Sequence, residues 1–429
     1  MSTLTTPAGS AATAPRAAAL TPISWKAPIA YTVLGLVALV FFALLHGGGT
    51  TTTFRISTAQ DLFQIDPVTV GTKSAAVLLS LVALGLAGLS WWAAGIRRKL
   101  GWWLPALFGV CWVLAFLCWA GAGKTIPITG LLSGALFLSV PLVFGSMSGL
   151  LCERVGIINI AIEGQLLAGA FLAAVVASAT GNPYVGLVAA PVAGALVGAM
   201  LVAFAVRYWV DQIIVGVVLN VLVVGVTSYL FSTVLSQDPG TWNRRTPLPV
   251  LAIPGLSEIP ILGPVLFRQT ILVYLMYVAV AVLHVYLFKS RWGLRLRAVG
   301  EHPKAADTVG INVNRTRVRN AILGGAVAGL GGAFFTVAAG LAFGREMTGG
   351  KGFIALAAMI LGRWNPLGAL AAALLFGFAD NLQTVLGIVG TPIPSQLMLM
   401  TPYVVTIFAV AGLVGRVRAP ASEGIPYKK

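Results

Sequence analysis

Ile213-Ile214-Val215-Gly216-Val217-Val218-Leu219-Asn220-Val221-Leu222-Val223-Val224-Gly225-Val226-Thr227-Ser228-Tyr229-Leu230-Phe231 runs without a single charged side chain. Coiled into a helix it reaches about 28 Å, which matches the hydrocarbon thickness of a bilayer. Comparable apolar runs lie on either side of it, at about 27–46, 74–94, 104–122, 131–151, 157–178, 185–206, 270–288, 320–341 and 397–414. The chain has 429 residues, 58% hydrophobic and 9% charged, with a mean hydropathy of +0.92. A soluble protein of this length has too little polar surface to enclose that composition. The expected fold class is all-α: a polytopic transmembrane helix bundle of about ten spans plus a broken or re-entrant helix pair.

The net charge of +16 sits between the apolar runs. Basic residues in the short links of a membrane protein mark the cytoplasmic side, so the charge points to topology and excludes nucleic acid as a partner. The link 289–319 alone carries Lys289, Arg291, Arg295, Arg297, Lys304, Arg315, Arg317 and Arg319. Arg97, Arg98, Lys99, Arg154, Arg207 and the tail residues Arg416, Arg418, Lys428 and Lys429 fall on the same side. Both termini are therefore expected in the cytoplasm, in a multi-pass protein of the bacterial plasma (inner) membrane, with the lipid bilayer as its surroundings. Residues 1–26, rich in Ala, Thr, Ser and Pro, read as a disordered cytoplasmic N-terminus. Residues 27–130 read as an N-terminal extension with three spans, 131–415 as a core, and 416–429 as a cytoplasmic tail.

An even number of crossings requires 353–386 to enter and leave on one side. Ile354–Leu361 is too short to cross alone, and Asn365-Pro366 breaks helix continuity. A hairpin of short helices is expected there, with two tilted crossings as the alternative. Segments 47–73 and 234–269 are long external connectors, the second rich in proline and expected to form a structured, non-helical cap.

Several polar groups interrupt the apolar runs. In Cys152-Glu153-Arg154-Val155-Gly156-Ile157-Ile158-Asn159-Ile160-Ala161-Ile162-Glu163-Gly164-Gln165, Asn159 and Glu163 stand four apart, on one face if the next helix starts at 157. Asn220, Asp380 and Asn381 also lie within apolar runs. Such groups either fasten helices together or line a solute pathway. Gly145/Gly149, Gly194/Gly198 and Gly325/Gly329 have the spacing that admits close helix contact. Cys111, Cys118 and Cys152 read as small buried apolar residues, and His46, His284 and His302 have no metal-ligand spacing, so no metal site is expected. Gly121-Ala122-Gly123-Lys124-Thr125 resembles the end of a phosphate-binding loop. However, Cys118 occupies the position of its first glycine, so the chain carries no nucleotide site of this kind. In the link 289–319, Pro303 opens a helix of about two turns that Gly310 ends. A short capped helix between spans reads either as a solvated turn or as a docking peg for a cytosolic subunit.

Three blocks resemble the binding-protein-dependent ABC permeases for ribose, branched-chain amino acids and nucleosides. They are Glu153–Gly164, Gly300–Asn312 and Lys351–Ala369, and the resemblance extends over about 131–415, closest to the nucleoside or simple-sugar branch. It implies the transmembrane permease subunit of an importer for a small polar solute. The chain itself would be no enzyme and carry no cofactor, with ATP and Mg held by partner subunits. The partners would be a cytosolic ABC ATPase, a second related permease subunit and an extracytoplasmic solute-binding protein. By the match, Gly300, Pro303, Ala305, Ala306, Asp307 and Gly310 would couple to the ATPase. The candidate solute pathway is Asn159, Glu163, Asn220, Asp380 and Asn381. The alternative is an ion-coupled secondary transporter, which an uncoupler would silence while ATP persists.

Overall fold

The computed structural model describes residues 25–45, 47–98, 100–391, 396–397, 400 and 419–428. The expected disordered segment 1–26 (save its last two residues), the span at 397–414 (save Leu397 and Met400), His46, Lys99, Arg416 and Arg418 lie outside the described residues.

Two compact units divide the chain. The first comprises the residues up to Gly49 together with Thr72–Trp119 and holds three long helices, α1 (Lys26–Leu44), α2 (Thr72–Gly95) and α3 (Trp103–Ala120). On α2 the small residues Ala76, Ser80, Ala83, Ala87, Ser90 and Ala93 face inward, whereas Leu78, Leu81, Val82 and Trp92 face outward. That arrangement inverts a soluble helix. It is what lipid selects, because apolar surface gains nothing by leaving hydrocarbon and helices associate through close packing instead. Phe42 of α1 packs on Trp112, Phe116 and Trp119 of α3, and the Trp112 indole donates to Leu34 O at 3.0 Å.

The second unit contains Thr50–Gly71 and everything from Ala120 onward. Residues 50–71, part of the stretch expected as an extension, group here because β1 (Thr51–Arg55) pairs antiparallel with β2 (Val68–Gly71) and parallel with β3 (Thr125–Pro127). The long helices are α4 (Ile128–Glu153), α5 (Ile162–Thr180), α6 (Pro183–Arg207) and α7 (Gln212–Leu235). After the one-turn α8 (Pro239–Trp242) and the ribbon of β4 (Val250–Ala252) and β5 (Arg268–Thr270) come α9 (Ile271–Lys289), α10 (Arg291–Glu301), α11 (Pro303–Thr308) and α12 (Val313–Ala338). α13 (Lys351–Leu361) and α14 (Pro366–Val389) follow.

Among the described residues, ten helices are long and apolar enough to cross a membrane. Their membership differs from the expected one. The break at Asn365-Pro366 is present, with Asn365 Oδ1 capping α14 through Leu367 N at 2.9 Å. The expected hairpin of short helices is not: α13 has 11 residues, but α14 has 24 and is itself a candidate span. The link 289–319 also holds two helices before α12, and α12 begins at Val313 rather than near 320.

Glycine pairs set the tightest crossings. A Cβ on Gly194 would stand 2.1 Å from Gly325 O, and one on Gly325 would stand 2.3 Å from Gly194 O. α6 and α12 therefore touch backbone to backbone at the two motifs that the sequence spacing singled out. Gly145 and Gly149 of α4 instead make room for side chains of α13, those of Ala355 and Met359.

Candidate functional site

α4 is buried for most of its length and ends at Glu153 at the end of the bundle that also carries α10 and α11, here called the basic end. The chain then does not restart as a helix at 157. Residues 154–161 form an irregular link, with Gly156 at φ 86°, and α5 begins only at Ile162. Val155, Ile157, Asn159 and Ala161 in that link are fully buried. Asn159 and Glu163 thus do not share a helical face, which corrects the expected spacing. Asn159 lies in the link and donates to Ser148 Oγ (3.1 Å) and Gln165 Oε1 (3.0 Å), while its own Oδ1 accepts from Gln165 Nε2 (3.2 Å).

Irregular backbone inside a membrane bundle needs partners for its amides and carbonyls. α7 supplies several of them. Asn220 Nδ2 donates to Ile160 O at 2.9 Å and its Oδ1 accepts from Gly164 N at 2.8 Å, while Gln212 Oε1 accepts from Ile158 N at 2.7 Å. Asn220 is the side-chain amide in the run that first marked the chain as membranous, and the link explains its presence there.

A second irregular segment, 339–350, meets the first. Asn243 clasps Phe343 on both sides, accepting from its amide at 2.7 Å and donating to its carbonyl at 3.0 Å. The segment ends in Gly349 and Gly350, both at positive φ, and α13 starts inside the bundle. Ala355 meets Gly145, Met359 meets Gly149, and Trp364 Nε1 donates to Glu153 Oε2 at 2.6 Å. By helical rise, the start of α13 lies more than about 12 Å inward from the end of α4. Glu163 sits at that start. Its Oε1 accepts from Thr348 Oγ1 (2.5 Å) and Gly350 N (2.8 Å), and its Oε2 accepts from Gly352 N (2.6 Å). The N-termini of α5 and α13 therefore meet within the bundle with one carboxylate between them, placed where helix dipoles favour negative charge.

Beside it, Lys351 pairs with Asp380 of α14, the one ion pair among the described residues. Their side chains retain 23% and 24% of their exposure, so the pair borders open space. Asn381, the next residue, turns the other way and donates to Leu131 O at 2.8 Å. Of the five pathway candidates, Glu163 and Asp380 come together around the start of α13. Asn159, Asn220 and Asn381 are occupied with hydrogen bonds that hold α4, α5, α7, α14 and the link in place. Lys351 was missed as a site residue because a lysine next to two glycines reads as a loop.

The basic end is built as a platform. Gly300 presses on the link, where a Cβ would stand 2.2 Å from Arg154 O. Arg154 donates to Trp364 O from Nη2 (2.6 Å) and Nε (3.1 Å). Pro303 opens α11, Ala306 is buried, Asp307 is half-buried, and Gly310 ends the turn at φ 82°. Lys304, Ala305, Thr308 and Val309 are exposed. The tail returns to the same place: Ser422 N donates to Gly300 O (2.9 Å), Gly424 N to Gly156 O (3.2 Å), and the Tyr427 hydroxyl hydrogen-bonds Asp307. Arg317, 1% exposed, joins link and tail by donating to Val155 O (3.1 Å) and Ile425 O (2.8 Å). Burial pushes the Glu423 carboxyl, which lies against Glu153, above its ordinary value.

The exposed peg is thus joined through Gly300, Arg154 and Trp364 to a helix that starts inside the bundle. The family described as branched-chain amino acid transport system / permease component matches residues 131–410, and the chain belongs to it. The guanosine ABC transporter permease protein NupQ of Bacillus subtilis is 38% identical over 68% of this chain and 95% of its own. The nucleoside ABC transporter permease protein NupC of Lactococcus lactis is 38% identical over 70% and 96%. The putative glucose ABC transporter permease protein TsgC13 of Haloferax volcanii is 34% identical over 59% and 77%. No solved structure matches the chain. It is a multi-pass ABC transporter permease subunit.

Proposed function

We propose that this permease serves an importer for a nucleoside, with a simple sugar as the second candidate solute. The names of the two 38% identical relatives favour the nucleoside. The reading includes a cytosolic ATPase that holds ATP and Mg, a second permease subunit and an extracytoplasmic binding protein. It also places both termini and the basic end in the cytoplasm of a bacterial inner membrane, as the distribution of arginines favours.

The observation that carries the reading is the contact chain α11–Gly300–Arg154–Trp364–α13. A motor gripping Lys304, Ala305 and Thr308 displaces α11. Gly300 bears directly on the link, and Trp364 is fixed to the end of α4, so the displacement reaches the start of α13. There, Glu163, Lys351 and Asp380 border the path that a hydroxylated solute would follow. Nucleotide binding must favour one access state by about 5.5 kcal/mol to move a population from 1:99 to 99:1.

Replacing Pro303–Gly310 with a flexible linker of the same length tests this in the assembled importer reconstituted in lipid. Solute-stimulated ATP hydrolysis and uptake are expected to fall to background while the subunits still co-purify. Unchanged stimulation would overturn the coupling role.

A further inference from the structure

A cavity of about 830 Å³ opens beside the platform, between α9, α10, the turn 309–312 that follows α11, and the first turns of α12. One end is cationic and aromatic. Arg295, Arg315 and Arg319 line it with Trp292, and the Arg295 and Arg319 guanidinium carbons lie 5.9 and 5.2 Å from the indole ring. None of the three is ion-paired among the described residues. The other end is apolar, lined by Ile322, Leu323 and Ala326 on the next turns of the same helix, with Leu323 45% exposed.

The order of these residues along α12 identifies the kind of ligand. Arg315 and Arg319 stand one turn apart, and Ile322, Leu323 and Ala326 continue along the span in the direction of the bilayer centre. A free anion would use only the cationic end, and an acidic peptide would leave the apolar end unfilled. An amphiphile with a negative head and a hydrocarbon tail satisfies both. Trp292 among the arginines suits the level of the headgroups, where indole rings gather. We propose that the groove is a binding site for an anionic glycerophospholipid. Its phosphodiester lies among Arg295, Arg315 and Arg319, and an acyl chain lies along Ile322, Leu323 and Ala326. A basic pocket between spans at a membrane surface is the general form of such a site.

Native mass spectrometry of the full-length chain tests it after release from nanodiscs of equal parts phosphatidylglycerol and phosphatidylethanolamine. Retained phosphatidylglycerol is expected to exceed phosphatidylethanolamine. The excess should fall about fivefold in Arg319→Gln and vanish in the triple variant Arg295→Gln, Arg315→Gln, Arg319→Gln. Arg207→Gln removes a basic-end charge outside the groove and should leave the ratio unchanged. The triple Arg→Lys variant keeps the charge and should keep part of the preference, which separates lost binding from lost folding. Equal retention of the two lipids by the native chain would overturn the proposal. So would equal loss in Arg207→Gln, or stabilisation by inorganic phosphate in detergent as great as that by phosphatidylglycerol.

Discussion

Glu163 answers a question that the sequence alone leaves open. A carboxylate within an apolar run is costly in the membrane unless it is paired or solvated. Here it is satisfied by a hydroxyl and two amides at the start of α13, so the same side chain both fastens the helix and sets the charge at the junction. Glu163→Gln keeps the shape but replaces a charged acceptor with an amide whose NH2 group must face one of the two N–H donors, that of Gly350 or that of Gly352. Hydrogen bonds to charged groups contribute about 1.5–3 kcal/mol and neutral ones about 0.5–1.5. The variant is expected to insert and assemble, lose several degrees of thermal stability in detergent, and take up solute at least about tenfold more slowly. Native melting together with native uptake would show the carboxylate to be dispensable. What sequence reasoning got wrong here was local: Ile157–Ile162 is apolar enough to read as helix, yet Gly156 at φ 86° and the side-chain bonds of Asn159 hold it open. Asn220 was legible as a polar intruder, but its partners, 56 and 60 residues earlier, were not.

Short elements at the basic end divide in the same way. α11 could be read in advance because Pro303 and Gly310 act on their own backbone. α10 could not: it is Arg-rich, and its buried face of Gly293, Leu296, Val299 and Gly300 has meaning only against the end of α9, the link and α12. The tail contact depends on residues far apart, Gly156, Gly300 and Arg317 against 422–425, and no local pattern announces it. Its titration has a definite sign. The packed state favours the protonated Glu423 carboxyl, so the packed state binds more protons than the open one in the window above 4.5. Stability from this contact is complete below 4.5 and is lost as pH rises through the raised value. Melting temperature in one detergent is expected to fall with pH across that window in the native chain. In Glu423→Gln, which carries no charge at any pH, the profile should be flatter. Parallel profiles would place the titration elsewhere.

Across the whole molecule, composition was enough for the class of fold, because a bilayer constrains length and polarity more tightly than water does. The glycine spacings on α6 and α12 were also legible, and they meet each other. The counting of spans was less so. α14 holds Asp380, Asn381 and Gln383, which lower its apparent hydropathy, yet Asp380 is paired with Lys351 and Asn381 with a carbonyl of α4. The molecule that results has a hydrogen-bonded platform at one end, a helix that begins inside the bundle, and a continuous set of contacts between them.

A photo-crosslinking residue substituted for Ala305 on the exposed face of α11, in the importer assembled with its native partners, reads that platform most directly. The account predicts a covalent adduct with the nucleotide-hydrolysing subunit whose yield changes when ATP is bound. An adduct with the solute-binding protein instead, or none from a complex that still imports, would contradict it.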